Sequence, residues 1–182
     1  INKNRTELII FFAGHGLANA ESENNELYIL SQNSDPDMLD GSAISRTKFF
    51  KSILDLEPRK VTIFIDACYS GVSRDEKTLL ASARPIKLKT EETEIPDMFT
   101  VFSASGLNEI SSGLKEAKHG IFSYYLMKGL EGNADENKDK KITNGELIAY
   151  LKNNVSQEAF SQNRSQEPML SGDPNNILIS YR

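Results

Sequence analysis

Apolar residues along this chain follow two rhythms. The segments Leu8 to Phe12, Lys60 to Ile65 and Met98 to Ser103 are nearly unbroken β-branched and aromatic runs bounded by turn residues. That pattern predicts strands buried on both faces. Leu27 to Leu30 predicts a shorter strand, one arm of a hairpin, and Asn176 to Ser180 predicts the last strand. Elsewhere the apolar residues recur at helical spacing. Ser45 is placed to cap a helix through Leu56 that gathers Phe49, Phe50, Ile53 and Leu54 on one face, with Pro58 ending it. Ile121 to Leu130 predicts a second helix, with Gly132 beyond its end. Thr143 and Glu146 have the spacing of a capping box that opens a third helix through about Val155. Strands alternating with helices predict an α/β sandwich around a mostly parallel sheet.

The stretch from Arg74 to Asp97 breaks both rhythms. It is charged, carries Pro85 and Pro96, and has no sustained period. It reads as an exposed linker between a first part, residues 1–73, and a second part, residues 98–182, of one domain. Composition narrows the class. With 182 residues, 38% hydrophobic and 26% charged, the chain can bury a core and stay in water. No apolar run approaches the ~18 residues of a membrane span. The net charge of −5 argues against nucleic acid as the partner. A single cysteine makes no internal disulfide and fits a reducing, cytoplasmic setting. The chain opens on Ile1 and a polar stretch with no secretory signal, and reads as a segment of something longer.

Two of the strands end in chemistry. Leu8 to Phe12 runs into Ala13-Gly14-His15-Gly16, and Ile63-Phe64-Ile65 runs into Asp66-Ala67-Cys68-Tyr69-Ser70-Gly71. Each reads as a buried strand delivering one reactive side chain to a glycine-flanked loop. Carboxyl ends of parallel strands are where open α/β sheets place their sites. A thiol of ordinary pKa, ~8.5, is mostly protonated at neutral pH, so a nearby imidazole is needed to take its proton and later return one to a leaving amine. The attacked carbonyl then needs donors, for which the backbone N–H groups of Gly16 and Cys68 are candidates. The bland alternatives are a small buried hydrophobe at Cys68 and a hydrogen-bonded loop histidine at His15. His119 stands at a helix start and reads as structural.

Taken together, these motifs resemble the caspase-like cysteine peptidases, in the metacaspase and bacterial caspase-homologue branch. The resemblance continues through Phe102-Ser103-Ala104-Ser105, His119-Gly120-Ile121-Phe122-Ser123 and Gly132-Asn133-Ala134-Asp135, and ends near Pro168 to Ile179. True caspases carry Gln-Ala-Cys with the histidine ~50 residues upstream. The spacing here is similar, but Asp66 replaces the glutamine. The resemblance implies a caspase-like three-layer α/β sandwich, a His15–Cys68 dyad, and hydrolysis of peptide bonds without a required cofactor. It also implies that Ser103, Ser105 and the residues to Ser112 line the substrate cleft. An extended peptide would add as a strand at Glu109, Ile110 and Ser111, with Glu109 reading a second basic residue. The family's core begins with further strands that this chain lacks. The N-terminal remainder of the same protein, or a partner chain, is therefore expected beside it. The alternative from another class is a non-catalytic caspase-like interaction or regulatory module.

Asp66 bears on substrate choice. A carboxylate buried near a thiol is costly and raises the thiol pKa unless a cation joins it. An arginine side chain would pair with it as a fork, a lysine as a point charge. In metacaspases the matching acid lies in the pocket for the residue before the scissile bond, so the resemblance implies cleavage after Arg or Lys. The competing role for Asp66 is to organise its loop by accepting backbone N–H groups. The linker offers Arg74, Lys77, Lys87 and Lys89 as candidate self-processing positions; Pro85 disfavours the bond after Arg84.

One further motif stands apart. Asp135, Asn137, Asp139 and Glu146, with Ile142 between them, match an EF-hand loop at positions 1, 3, 5, 12 and 8. Calcium is thus a candidate ligand. Against it, Lys140 occupies the glycine position, Lys138 and Lys141 add positive charge, and Glu146 is already assigned to a capping box. A polar helix–helix connection is the competing reading.

Overall fold

The computed structural model describes residues 1–18, 26–68, 95–104, 113–114 and 119–182. The elements are β1 (Glu7–Ala18), β2 (Leu27–Leu30), α1 (Leu39–Ser42), β3 (Ile44–Ser45), α2 (Arg46–Leu54), β4 (Lys60–Cys68) and β5 (Phe99–Ser103). They continue with β6 (Gly113–Leu114), β7 (His119–Gly120), α3 (Ile121–Lys128), β8 (Lys141–Thr143), α4 (Asn144–Ser161), β9 (Met169–Ser171) and β10 (Ile177–Ser180). Six strands form one mixed sheet in the order β3-β2-β1-β4-β5-β9. Its central strands β1, β4 and β5 run parallel, and the flanking pairs are antiparallel.

Strand β4 is buried from Val61 to Ala67, as its unbroken apolar run requires of a central strand covered on both faces. Val61, Ile63, Ile65 and Ala67 pack with Phe99 and Val101 of β5 against Phe50 and Ile53 of α2. On the other face, Phe64 and Phe102 stack with ring centroids 5.2 Å apart beneath Ile121, Phe122 and Leu126 of α3 and Leu147, Leu151 and Val155 of α4. The result is the three-layer α/β sandwich. Ser45 caps α2 as its spacing predicts, its hydroxyl accepting from the Lys48 N–H at 3.2 Å. Thr143 and Glu146 form the capping box of α4.

Several expectations change. β1 and β4 are longer than their apolar runs: the ladder between them continues through His15 and Cys68. Neither residue therefore stands in a loop. α4 runs to Ser161 rather than Val155. Ile177–Ser180 is a strand, but it pairs with β8 in a separate two-stranded sheet. The outer strand of the main sheet beyond β5 is β9, which is only three residues long. Beside it Gly172 has φ +129, and a Cβ there would stand 3.1 Å from the Phe99 carbonyl oxygen, so glycine lets the chain pass close to β5. β1 is not buried on both faces either. Leu8, Ile10 and Phe12 pack toward α2, whereas Ile9 and Phe11 on the opposite face are 76% and 54% exposed. Among the described residues, β1 from Glu7 to Gly14 pairs only with β4, because β2 joins it from His15 onward.

Candidate active site

The parallel β1–β4 ladder runs from Glu7 opposite Lys60 to His15 opposite Cys68. Adjacent strands lie about 4.8 Å apart, so the backbones of His15 and Cys68 are immediate neighbours. His15 is held from both sides, since Leu30 of β2 is its antiparallel partner. It is solvent-exposed, on the same face of β1 as Ile9, Phe11 and Ala13. Gly16 is buried and pairs with Ile29.

Asp66 lies two positions before Cys68 in β4, opposite Ala13, and is fully buried. Its Oδ2 accepts a hydrogen bond from the hydroxyl of Ser123, which is itself buried. Ser123 is the third residue of α3, so the carboxylate stands at the positive end of that helix. Gly120 caps α3 without a side-chain bond, leaving room in the first turn for an acceptor from outside the helix. Ser123 has no period or charge that marks it in the sequence beyond its place in the Gly120-Ile121-Phe122-Ser123 stretch.

Ser103 ends β5, half-buried, between Ile65 of β4 and Met169 of β9. The next residue extends the ladder: Ala104 N–H donates to the Ile65 carbonyl at 2.8 Å. Gln166, 1% exposed, donates its side-chain amide to the Ala104 carbonyl at 3.0 Å. Ser156 of α4 in turn donates its hydroxyl to the Gln166 carbonyl at 2.9 Å. The ends of β4 and β5 are therefore each tied by a buried side chain to the α3/α4 layer. Ser105, Glu109 and the candidate processing stretch from Arg74 to Glu94 lie outside the described residues.

The acidic loop directs its oxygens at its own backbone. Asp135 accepts from the N–H groups of Asp139 and Lys140 at 3.2 and 3.0 Å, Asn137 from Asp139 at 2.8 Å, and Asp139 from Lys141 at 2.8 Å. Lys138 and Lys140 take left-handed backbone, φ 60 and 65. Glu146 accepts from the Thr143 N–H and hydroxyl, and the Thr143 backbone N–H, its main cause, holds the carboxyl below the usual glutamate range. Among the described residues, no group of three or more His, Cys, Asp or Glu is gathered as a metal site. Nor is any described helix long and apolar enough to cross a membrane.

A family model described as the caspase domain matches residues 2–176. The chain belongs to the caspase-domain family. Membership supports cysteine-peptidase chemistry as the family-level reading. A search of curated proteins gives no match. Among solved structures, the fold is similar to the Geobacter sulfurreducens protein GSU0716, with a TM-score of 0.55, 14% identity, and coverage of 99% of this chain and 71% of that one. Caspase-1 from Spodoptera frugiperda also matches, with a TM-score of 0.42, 12% identity, and coverage of 97% and 89%. At 14% identity the likeness to GSU0716 speaks for the fold alone.

Proposed function

We propose that this caspase-family domain is a cytoplasmic cysteine endopeptidase that cuts peptide bonds after Arg or Lys. The observation that carries the proposal is the β1–β4 register, which makes His15 and Cys68 lateral neighbours at the ends of two parallel strands. In this reading the Cys68 thiol passes its proton to His15 as the sulfur bonds to the scissile carbonyl carbon. The resulting oxyanion takes hydrogen bonds from the Cys68 and Gly16 N–H groups. His15 then gives the proton to the leaving amine, and water releases the acyl group. No step calls on a cofactor. Asp66, two positions before the nucleophile, supplies the negative charge that attracts a basic side chain, with Ser103, Ser105 and Glu109 lining the cleft.

The open face of β1 bears on partners. Ile9 and Phe11 stand exposed beside a stretch, Glu7 to Gly14, that among the described residues pairs on one side only. A further strand and its covering element, from the N-terminal remainder of the same protein or a partner chain, would suit both.

The test is turnover of matched peptide reporters ending in Arg, Lys or Asp by the full-length protein and by its Cys68→Ala and His15→Ala variants. Cleavage after Arg and Lys, lost in both variants, is expected. Equal turnover by wild type and Cys68→Ala, or none by either with Cys68 inert to a peptidyl-Arg alkylating probe, refutes the proposal and favours a non-catalytic interaction module.

A further inference from the structure

Asn144 and Gly145 open α4, and carbonyls of the exposed turn at residues 172–176 hold them both. Asn144 is fully buried, and its Nδ2 donates to the Asp173 carbonyl at 2.8 Å. Its backbone N–H donates to the Asn176 carbonyl at 2.9 Å, and the Gly145 N–H to the Pro174 carbonyl at 2.8 Å. Among the described residues the Asn144 Oδ1 has no hydrogen-bond partner, so the side chain is fixed through its nitrogen. A Cβ on residue 145 would stand 3.1 Å from the Pro174 oxygen, so this close approach requires glycine. The turn itself is held by Asp173, whose Oδ1 accepts from the Asn175 N–H at 2.9 Å and from the Asn175 side-chain amide at 3.1 Å.

The packing thus places an asparagine directly before a glycine, which has no side chain to hinder ring closure onto the amide. We propose that Asn144–Gly145 is a latent self-modification site and that the 172–176 turn is its cover. When the turn opens, the Gly145 nitrogen bonds to the Asn144 Cγ. The Cγ–Nδ2 bond breaks, the Gly145 amide proton passes through water to Nδ2, and ammonia leaves. Water then opens the cyclic imide to aspartate or isoaspartate. With the turn closed, ring formation is blocked twice. The Gly145 N–H is bonded to Pro174, and helical backbone at residue 144 holds the nitrogen away from Cγ. Neither product rebuilds the closed turn. Aspartate sets an oxygen against the Asp173 carbonyl where a donor stood, and isoaspartate adds a main-chain carbon inside the Thr143–Glu146 capping box. The reaction therefore runs one way and marks each chain whose turn has opened.

The experiment follows deamidation at Asn144 by peptide mapping and mass spectrometry in the full-length protein, folded and in guanidinium at the same pH. We expect the folded chain to react at least about tenfold more slowly than the unfolded one, since only its open fraction is competent. Asp173→Ala removes the acceptor that holds the turn but keeps all the carbonyls. It should speed the folded rate about fivefold, the population change from losing one ordinary hydrogen bond. Exchange of the Gly145 amide hydrogen should quicken in the same proportion. Asp173→Asn keeps an acceptor oxygen and should stay within about twofold of wild type. Leu39→Ala is the control for global stability. It packs with Leu17 and Tyr28 in a separate cluster, and should lower the thermal midpoint without changing the Asn144 rate. Pro174→Gly, which frees the turn and keeps its carbonyl, provides the comparison if Asp173→Ala does not fold. Equal rates in folded and unfolded wild type overturn the proposal. So does an unchanged rate in folded Asp173→Ala or Pro174→Gly. Acceleration by Leu39→Ala as large as by the turn variants also overturns it, because the site would then open only with the whole domain.

Discussion

Replacing Gln166 with leucine removes the amide on which the exit of β5 rests while keeping most of the side-chain volume. The magnitude can be worked from one contact and its burial. Gln166 donates at 3.0 Å to the Ala104 carbonyl, and Ala104 is itself fully buried. After substitution that oxygen loses a donor in a place where water does not replace it, which costs about 1–3 kcal/mol. Leucine recovers some apolar contact, so a net loss of about 2 kcal/mol is the working figure. For a domain of this size each kcal/mol moves the thermal midpoint by about 2–4 °C, giving a drop of about 4–8 °C. In urea the midpoint should fall with an unchanged slope, since the same surface is exposed on unfolding. The adjacent Glu167 is the internal control. It forms an exposed ion pair with Lys152 at 3.1 Å, and Glu167→Gln should cost no more than about 1 kcal/mol. A Gln166→Leu protein melting within about 1 °C of wild type would refute the argument that a buried amide tethers β5.

Other consequences are checked the same way. Ile9→Thr and Phe11→Thr should each change the stability of this chain by less than about 0.5 kcal/mol, because both side chains are mostly in water, whereas Phe102→Ala should cost about 3–5 kcal/mol. If a further strand and cover dock on β1, the same two threonine substitutions should weaken that association, read by co-purification of the separately expressed pieces. Glu146 has a depressed pKa in the folded state, so its contribution is complete above the ordinary glutamate pKa of ~4.3 and is lost as pH falls through the lower folded value. Thermal melts between pH 7 and pH 3 should therefore show wild type losing stability that Glu146→Gln does not, since glutamine can keep the capping box without the titration. Asp135→Ala should cost about 1 kcal/mol, because its carboxylate no longer accepts from the Asp139 and Lys140 N–H groups, equally in chelator and in millimolar calcium. A calorimetric heat of calcium binding that disappears in Asp135→Ala would refute this expectation and make the loop a metal site.

How much of this was legible in the sequence varies by element. The helix starts read cleanly at Ser45 and at Thr143 with Glu146, because capping is local chemistry between residues three apart. The central strand β4 was legible because burial on both faces leaves an unbroken apolar run. β1 has the same kind of run but one open face, and composition cannot tell a covered isoleucine at position 9 from an exposed one. β9 was not legible: three residues beside a proline and a glycine carry no period, and only pairing with β5 makes them a strand. Strand ends were misjudged for a physical reason. Gly14 and Gly16 weaken a strand in isolation, so the apolar run stops at Phe12, but two neighbouring strands supply enough ladder to carry β1 on to Ala18. Of the candidate site, the ends of two apolar runs pointed to His15, Cys68 and Asp66. Ser123 and Gln166 did not stand out, because a buried serine or glutamine matters through a partner far away in the chain.

The extended strands change what positions the candidate site. Had His15 and Cys68 stood in loops, their separation would follow loop conformation. Within a ladder it follows register, and register follows the core. A one-residue slip of β4 against β1 would bring Ala67 or the next residue opposite His15. Relative to the layers, it would also turn Phe64 and Asp66 toward α2 and drive Ile63 and Ile65 toward α3. The stacked Phe64–Phe102 pair and the Asp66–Ser123 bond both oppose that slip, one with apolar area and one with a directional polar contact. Substitutions in this core should therefore reach the strand ends before they unfold the chain. Phe64→Ala, which removes the pair without touching either end, is the variant in which thiol reactivity and stability should fall together.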